Sequence, residues 1–185
     1  NLDRGFYGQI PIADAAANGS LQDGLLRASA DIDLEQAGSF DVAVSTRPFE
    51  GAETLVIDRG IFRNVDLAGL TGSKGLSTGL KGTLAGSLRG FDAETMVFDG
   101  RIDLEPSRIN EQPINDATLI ADLNAGNLDF DLFVSIPGGQ ANLEGTAQPF
   151  AEVPSYVVRD GTFENINLAN FTGNPAVATG LSDNV

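Results

Sequence analysis

A motif that occurs twice constrains this chain more than any other feature. Phe62-Arg63-Asn64-Val65-Asp66-Leu67-Ala68-Gly69-Leu70-Thr71-Gly72 returns as Phe163-Glu164-Asn165-Ile166-Asn167-Leu168-Ala169-Asn170-Phe171-Thr172-Gly173. The interval is the same at both ends, 163 − 62 = 101 and 173 − 72 = 101. Pro113-Ile114-Asn115-Asp116-Ala117 echoes Pro11-Ile12-Ala13-Asp14-Ala15 at 113 − 11 = 102, so one residue is lost between copies near the Gly38/Gly139 turn. A fixed long period marks a repeat architecture rather than a fold built around one active site. The expected division is 1–82 as the C-terminal part of one repeat, 83–183 as a second, and 184–185 as the start of a further copy, all in one continuous unit. The chain reads as a piece of something longer.

Inside each copy the hydrophobic period is that of a strand. Leu26, Ala28, Ala30, Ile32 and Leu34 alternate with Arg27, Ser29, Asp31 and Asp33. Phe40 and Val42 continue on the same pattern, and Leu128, Phe130, Leu132, Val134 and Ile136 alternate with Asp129, Asp131, Phe133 and Ser135. Such alternation predicts strands with one aliphatic and one polar face. The run from Ser73 to Gly90 is less direct, because Leu76, Leu80, Leu84 and Leu88 recur every fourth residue. Glycine at 75, 79, 82, 86 and 90 opposes a helix by about 1 kcal/mol each relative to alanine. A period of four is twice the strand period, so a long glycine-rich strand with its leucines on one face is expected. Turns are read at Gln22-Asp23-Gly24, Gln36-Ala37-Gly38, Asn124-Ala125-Gly126-Asn127 and Pro137-Gly138-Gly139. Hairpins are also read at Asp58-Arg59-Gly60 and Arg159-Asp160-Gly161, and Asp99-Gly100 as a turn. Asp66 is expected to cap one helical turn running through Leu70.

The fold class that follows is all-β: a long, mostly antiparallel sheet of about six strands per repeat, with a short helical turn in each. Its aliphatic face is expected to carry Leu26, Ile32, Phe40, Val42, Leu80, Leu84, Phe98, Leu119, Leu128, Phe130, Leu132, Val134 and Leu143. That face must be covered by the sheet curling on itself, by a partner, or by an apolar ligand. The corner motif is given a structural role: Phe62 and Phe163 are expected to pack beneath it, with Leu67 and Leu168 buried beside them. Phe49, Phe150 and Tyr156 are read as core or edge packing residues.

Composition removes most chemistry. The chain has no cysteine and no histidine, which excludes disulfides, thiol nucleophiles, imidazole bases and most transition-metal sites. A net charge of −15 opposes nucleic acid and an anionic membrane surface. No apolar run reaches the roughly 18–20 residues that span a bilayer. Gly75-Leu76-Ser77-Thr78-Gly79 superficially resembles a nucleophile elbow, but the chain has no histidine to activate a serine. Asp31/Asp33 and Asp129/Asp131 share strand faces, yet each pair lies opposite the aliphatic residues, where solvated charges belong. Neither an enzyme nor a cofactor is expected, and no metal ligands are assigned.

The segment Leu76 to Asp92, the Pro-Phe elements Pro48-Phe49 and Pro149-Phe150, and the F-x-N-x-[ND]-L-A-x-[LF]-T-G corner together resemble the repetitive periplasmic region of AsmA-like proteins, especially the TamB type of Gram-negative bacteria. The resemblance implies a sheet curled into a taco-like trough with an apolar interior. It implies a full-length protein anchored in the inner membrane and crossing the periplasm, with neighbouring repeats of the same chain on either side. It implies transport of phospholipid or acyl chains between membranes, assistance to outer-membrane protein assembly, or both, with an Omp85-class barrel as partner. A contrasting expectation is a repeat of an acidic secreted adhesin or surface fibre stiffened by calcium.

Overall fold

The computed structural model describes residues 5–7, 10–35, 37–49, 54–71, 77–90, 92, 95–110, 112–151, 153, 155–166 and 181–184. Its first copy comprises β1 (Gly5–Tyr7), β2 (Ile10–Gln22), β3 (Leu25–Leu34), β4 (Gly38–Thr46), β5 (Thr54–Val65), the single turn α1 (Leu67–Thr71), β6 (Thr78–Arg89) and β7 (Val97–Leu104). The next comprises β8 (Ser107–Ile109), β9 (Gln112–Ile114), β10 (Asp116–Asn124), β11 (Asn127–Ile136), β12 (Gly139–Gln148), β13 (Ser155–Ile166) and β14 (Leu181–Asn184). Twelve strands form one antiparallel sheet in the order β1-β2-β3-β4-β5-β6-β7-β10-β11-β12-β13-β14, not closed into a barrel. The β8–β9 hairpin folds onto the start of β6 through Thr78↔Ile109 and Gly79↔Arg108. The expected all-β, antiparallel architecture with one helical turn in the first copy is therefore the observed one. The second copy's helical turn lies outside the described residues.

The repeat is one of hydrogen-bond register as well as sequence. Ala15↔Ile32 in the first copy is Ala117↔Val134 in the second. Gly5↔Ile12 is Ser107↔Ile114, and Val65↔Leu80 is Ile166↔Leu181. Irregularities recur too. The β2–β3 ladder skips Ala13, and the equivalent Asn115 is the residue that separates β9 from β10. The β4–β5 ladder skips Asp58, and the β12–β13 ladder skips Arg159.

These bulges correct the hairpins read at Asp58-Arg59-Gly60 and Arg159-Asp160-Gly161. Each lies inside one twelve-residue strand, β5 or β13. Asp99-Gly100 likewise lies within β7. A two-residue primed turn needs positive φ at both positions. Asp23 (φ 50) with Gly24 (φ 75) and Ala125 (φ 47) with Gly126 (φ 79) meet that requirement, and none of the three sites within strands does. There the glycine serves packing: Gly60, Gly100 and Gly161 are buried on the apolar face.

The asparagine of the corner motif now has a cause. Asn64 and Asn165 both adopt left-handed backbone (φ 52 each), between the Phe and the β-branched residue of the motif, where the following ladder is shifted. Asparagine tolerates that region and a β-branched residue does not. Asn64→Val is therefore expected to destabilise the protein by about 1–2 kcal/mol in urea unfolding, whereas Asn64→Gly should leave the midpoint nearly unchanged.

Candidate apolar binding face

The ladders place side chains in rows that run across the strands. One row passes through Val42, Gly60, Leu84, Ile102, Leu119, Leu132, Leu143 and Gly161, each opposite the next on successive strands from β4 to β13. A second passes through Phe40, Phe62, Gly82, Leu104, Ala117, Val134, Ala141 and Phe163. On the other side of the first lie Val44, Ile57, Gly86, Gly100, Ala121, Phe130, Gly145 and Val158, and then Thr46, Leu55, Leu88, Phe98, Leu123, Leu128, Ala147 and Tyr156. No charged residue occurs in any of the four rows. All the residues expected on the aliphatic face lie on this side; Leu26 and Ile32 extend it onto β3, and Leu80 lies opposite Val65.

Among the described residues the face carries one layer only. Small residues such as Ala117, Ala121, Ala141 and Ala147 are buried beneath their neighbours, but Leu128, Phe130, Leu132 and Val134 are half-buried. No large described side chain is fully enclosed. The chain exposes 11484 Å², against about 8,500 Å² for a compact monomer of its size. Phenylalanine rings close some of the gaps that glycine leaves. Phe62 lies over Gly82 and Phe130 over Gly145, each on the paired strand. This is the arrangement by which aromatic residues shield glycine backbone in sheets.

The corner motif is a clasp at one end of the strands. Asp66 Oδ1 accepts hydrogen bonds from the Ala68 and Thr78 amides at 3.1 and 3.0 Å, and the Asp66 carbonyl accepts from the Leu70 amide. Asp66 thus caps the turn as expected, and in addition holds the start of β6. Thr78, only 4% exposed, accepts from the Leu67 amide at 2.8 Å and donates to the Val65 carbonyl at 3.0 Å. The Asp66 amide donates to the carbonyl of Ala37, which ties in the β3–β4 turn. The buried motif position is Val65, with Ile166 as its equivalent, each 4% exposed. Phe62, Phe163 and Leu67 are half-buried, and both phenylalanines lie in a row of the apolar face. Leu168 lies outside the described residues. Sequence reasoning missed Thr78 and Val65; the only signal was that Thr78-Gly79-Leu80 recurs as Thr179-Gly180-Leu181.

The opposite face is acidic and solvated. Asp99, Asp122 and Asp129 lie opposite one another on successive strands, as do Asp131, Glu144 and Asp160. Like charges so placed destabilise a sheet. Arg159 offsets part of this by meeting Asp129 at 3.0 Å and Glu144 at 3.2 Å. Arg101 forms a two-pronged pair with Asp103. Its hydrogen bonds, with one from Thr118, hold the Asp103 carboxyl below the usual carboxylate range and raise the Arg101 guanidinium above its own. Exposed pairs of this kind each contribute only about 0–1 kcal/mol. A hollow bordered by Thr118, Ile120, Asp131, Phe133, Asn142 and Glu144 lies on this face and gathers no nucleophile with a base. Among the described residues no three His, Cys, Asp or Glu are grouped to hold a metal ion, and no helix is long and apolar enough to cross a membrane. Comparisons with protein-family models, with characterised proteins and with solved structures find no match.

Proposed function

We propose that this chain is a segment of a cell-envelope scaffold whose apolar sheet face carries acyl chains of phospholipid along the strand stack, assists outer-membrane protein assembly, or both. The observation that carries the reading is the set of four charge-free rows that cross from one repeat into the next, with no second layer over them among the described residues. A surface of this kind excludes water only when something apolar lies on it. A hydrocarbon chain is matched to rows without charge or regular hydrogen-bonding groups. The resemblance of the Leu76–Asp92 segment and of the corner motif to TamB-type AsmA-like repeats supports the same reading. On it the full-length protein is anchored in the inner membrane, lies in the periplasm of a Gram-negative bacterium and meets an Omp85-class barrel.

The test is binding of a fluorescent fatty-acid analogue to the purified chain, with native mass spectrometry of copurified lipid. Leu132→Glu places a carboxylate in the central row. It is expected to weaken binding by about tenfold or more, since an unpaired charge against hydrocarbon costs well over 1.4 kcal/mol. Asp131→Ala, one residue away on the polar face, should leave binding unchanged. Equal effects of both substitutions, or no binding by the unaltered chain, would refute the proposal.

A further inference from the structure

The two edges of the apolar face differ. At the corner edge, Leu34, Ala37, Val65 and Ile166 are buried, and in the first copy the Asp66–Thr78 clasp ties the start of β6 to the end of β5. At the other edge the Pro-Phe elements make the β4–β5 and β12–β13 connections, and here the aromatic side chains stand in water. Phe49 is 76% exposed and Phe150 53%, which corrects their reading as packing residues; Tyr156 is also exposed. The Ala151 amide closes a four-residue turn onto the Gln148 carbonyl. Proline suits the second position of such a turn, but nothing in the turn requires phenylalanine at the third.

The internal repeat allows a comparison between copies. Polar-face and rim positions diverge: Arg27 becomes Asp129, Asp31 becomes Phe133, Arg47 becomes Gln148, Asp58 becomes Arg159 and Arg63 becomes Glu164. Pro48-Phe49 and Pro149-Phe150 stay the same. An exposed aromatic that neither packs nor shapes its turn, and that is kept while the flanking Arg47 becomes Gln148 and Glu50 becomes Ala151, is kept for contact with something else. From β4 to β12 is six steps along the sheet, so the two phenylalanines are about 29 Å apart along one edge at ordinary strand spacing.

We propose that this Pro-Phe edge is where acyl chains enter and leave the apolar face, each exposed phenylalanine lying against the hydrocarbon as it crosses. The inference rests on the proposed function above. Two features select hydrocarbon. The rows next to the edge are charge-free whereas the reverse face is acidic, so those rows complement an uncharged occupant. A fluid chain also fits aromatic contacts about 29 Å apart without a partner of matching repeat.

The chain contains no tryptophan, so single substitutions make site-specific reporters. Four variants are compared for fluorescence quenching by a dibrominated fatty acid: Phe49→Trp and Phe150→Trp at the edge, Leu119→Trp in the central row, and Phe133→Trp on the polar face. Quenching at both edge positions and at Leu119→Trp, but not at Phe133→Trp, is expected. Quenching at Leu119→Trp without the edge reporters overturns the entry site and leaves the carrier function standing. No quenching at any site overturns both. In stopped flow, the added pair Phe49→Ser and Phe150→Ser should slow quenching of Leu119→Trp about tenfold, because the apolar contact at the entry step is lost, while its final amplitude is kept. An unchanged rate also overturns the entry site.

Discussion

Gly145→Val on the apolar face is expected to lower stability by about 3 kcal/mol. A Cβ at Gly145 would run into the carbonyl oxygen of Val157 and come within 2.7 Å of Cζ and 3.1 Å of Cε1 of Phe130. The ring can swing away, but the Val157 carbonyl belongs to the backbone of the adjoining strand and cannot move without opening the β12–β13 ladder. Urea unfolding followed by circular dichroism measures the loss, and hydrogen exchange locates it in β11 to β13. Phe130→Ala in the same background should recover part of the deficit, since it removes the movable half of the clash and leaves the fixed half. Full recovery would mean that the ring alone sets the requirement for glycine, and a loss under 1 kcal/mol would mean that neither contact is tight.

Thr78→Val is the second. Valine keeps the volume of the side chain but removes the hydroxyl that serves both the Leu67 amide and the Val65 carbonyl. Both hydrogen bonds of a side chain that is only 4% exposed are then lost. Each such bond contributes about 0.5–1.5 kcal/mol, so a total near 1–3 kcal/mol is expected. Thr78→Ser should restore most of it. Because Asp66 still holds the Thr78 amide and caps the helical turn, the turn itself should survive, and the loss should appear as faster exchange at Leu67 and at the start of β6. Uniform loosening of all strands would show instead that the corner nucleates the whole sheet.

The fold was legible in the sequence because a strand carries its burial pattern in a period of two. The alternation on Leu26 to Leu34 and on Leu128 to Ile136 placed β3 and β11 almost to the residue. Glycine within the leucine run was enough to reject a helix over what became β6. The Asp-Gly pairs were the failure. The same dipeptide turns the chain at Asp23-Gly24 and runs straight through β7 at Asp99-Gly100. Turn propensity is local, whereas the glycine at 100 answers to the Phe98 ring on its own strand and to the carbonyl of Ala85 on the next one. The exposure of Phe49 and Phe150 is hidden for a related reason: a large aromatic is normally covered, and only the folded chain shows that these two stand exposed.

The motif that first marked the period therefore divides in two. That the chain is a tandem, one-sided β structure with an aliphatic and an acidic face follows from periodicity alone, because side-chain direction in a strand is fixed by the backbone. That the asparagine takes up left-handed backbone where the ladder shifts, that Thr78 and Asp66 clasp the corner, and that Val65 and Ile166 are buried while Phe49 and Phe150 are exposed was decided by tertiary structure. Those features depend on hydrogen bonds and close approaches between residues 11 to 29 positions apart, such as Leu67 with Thr78 and Ala37 with Asp66. Local spacing does not encode such contacts.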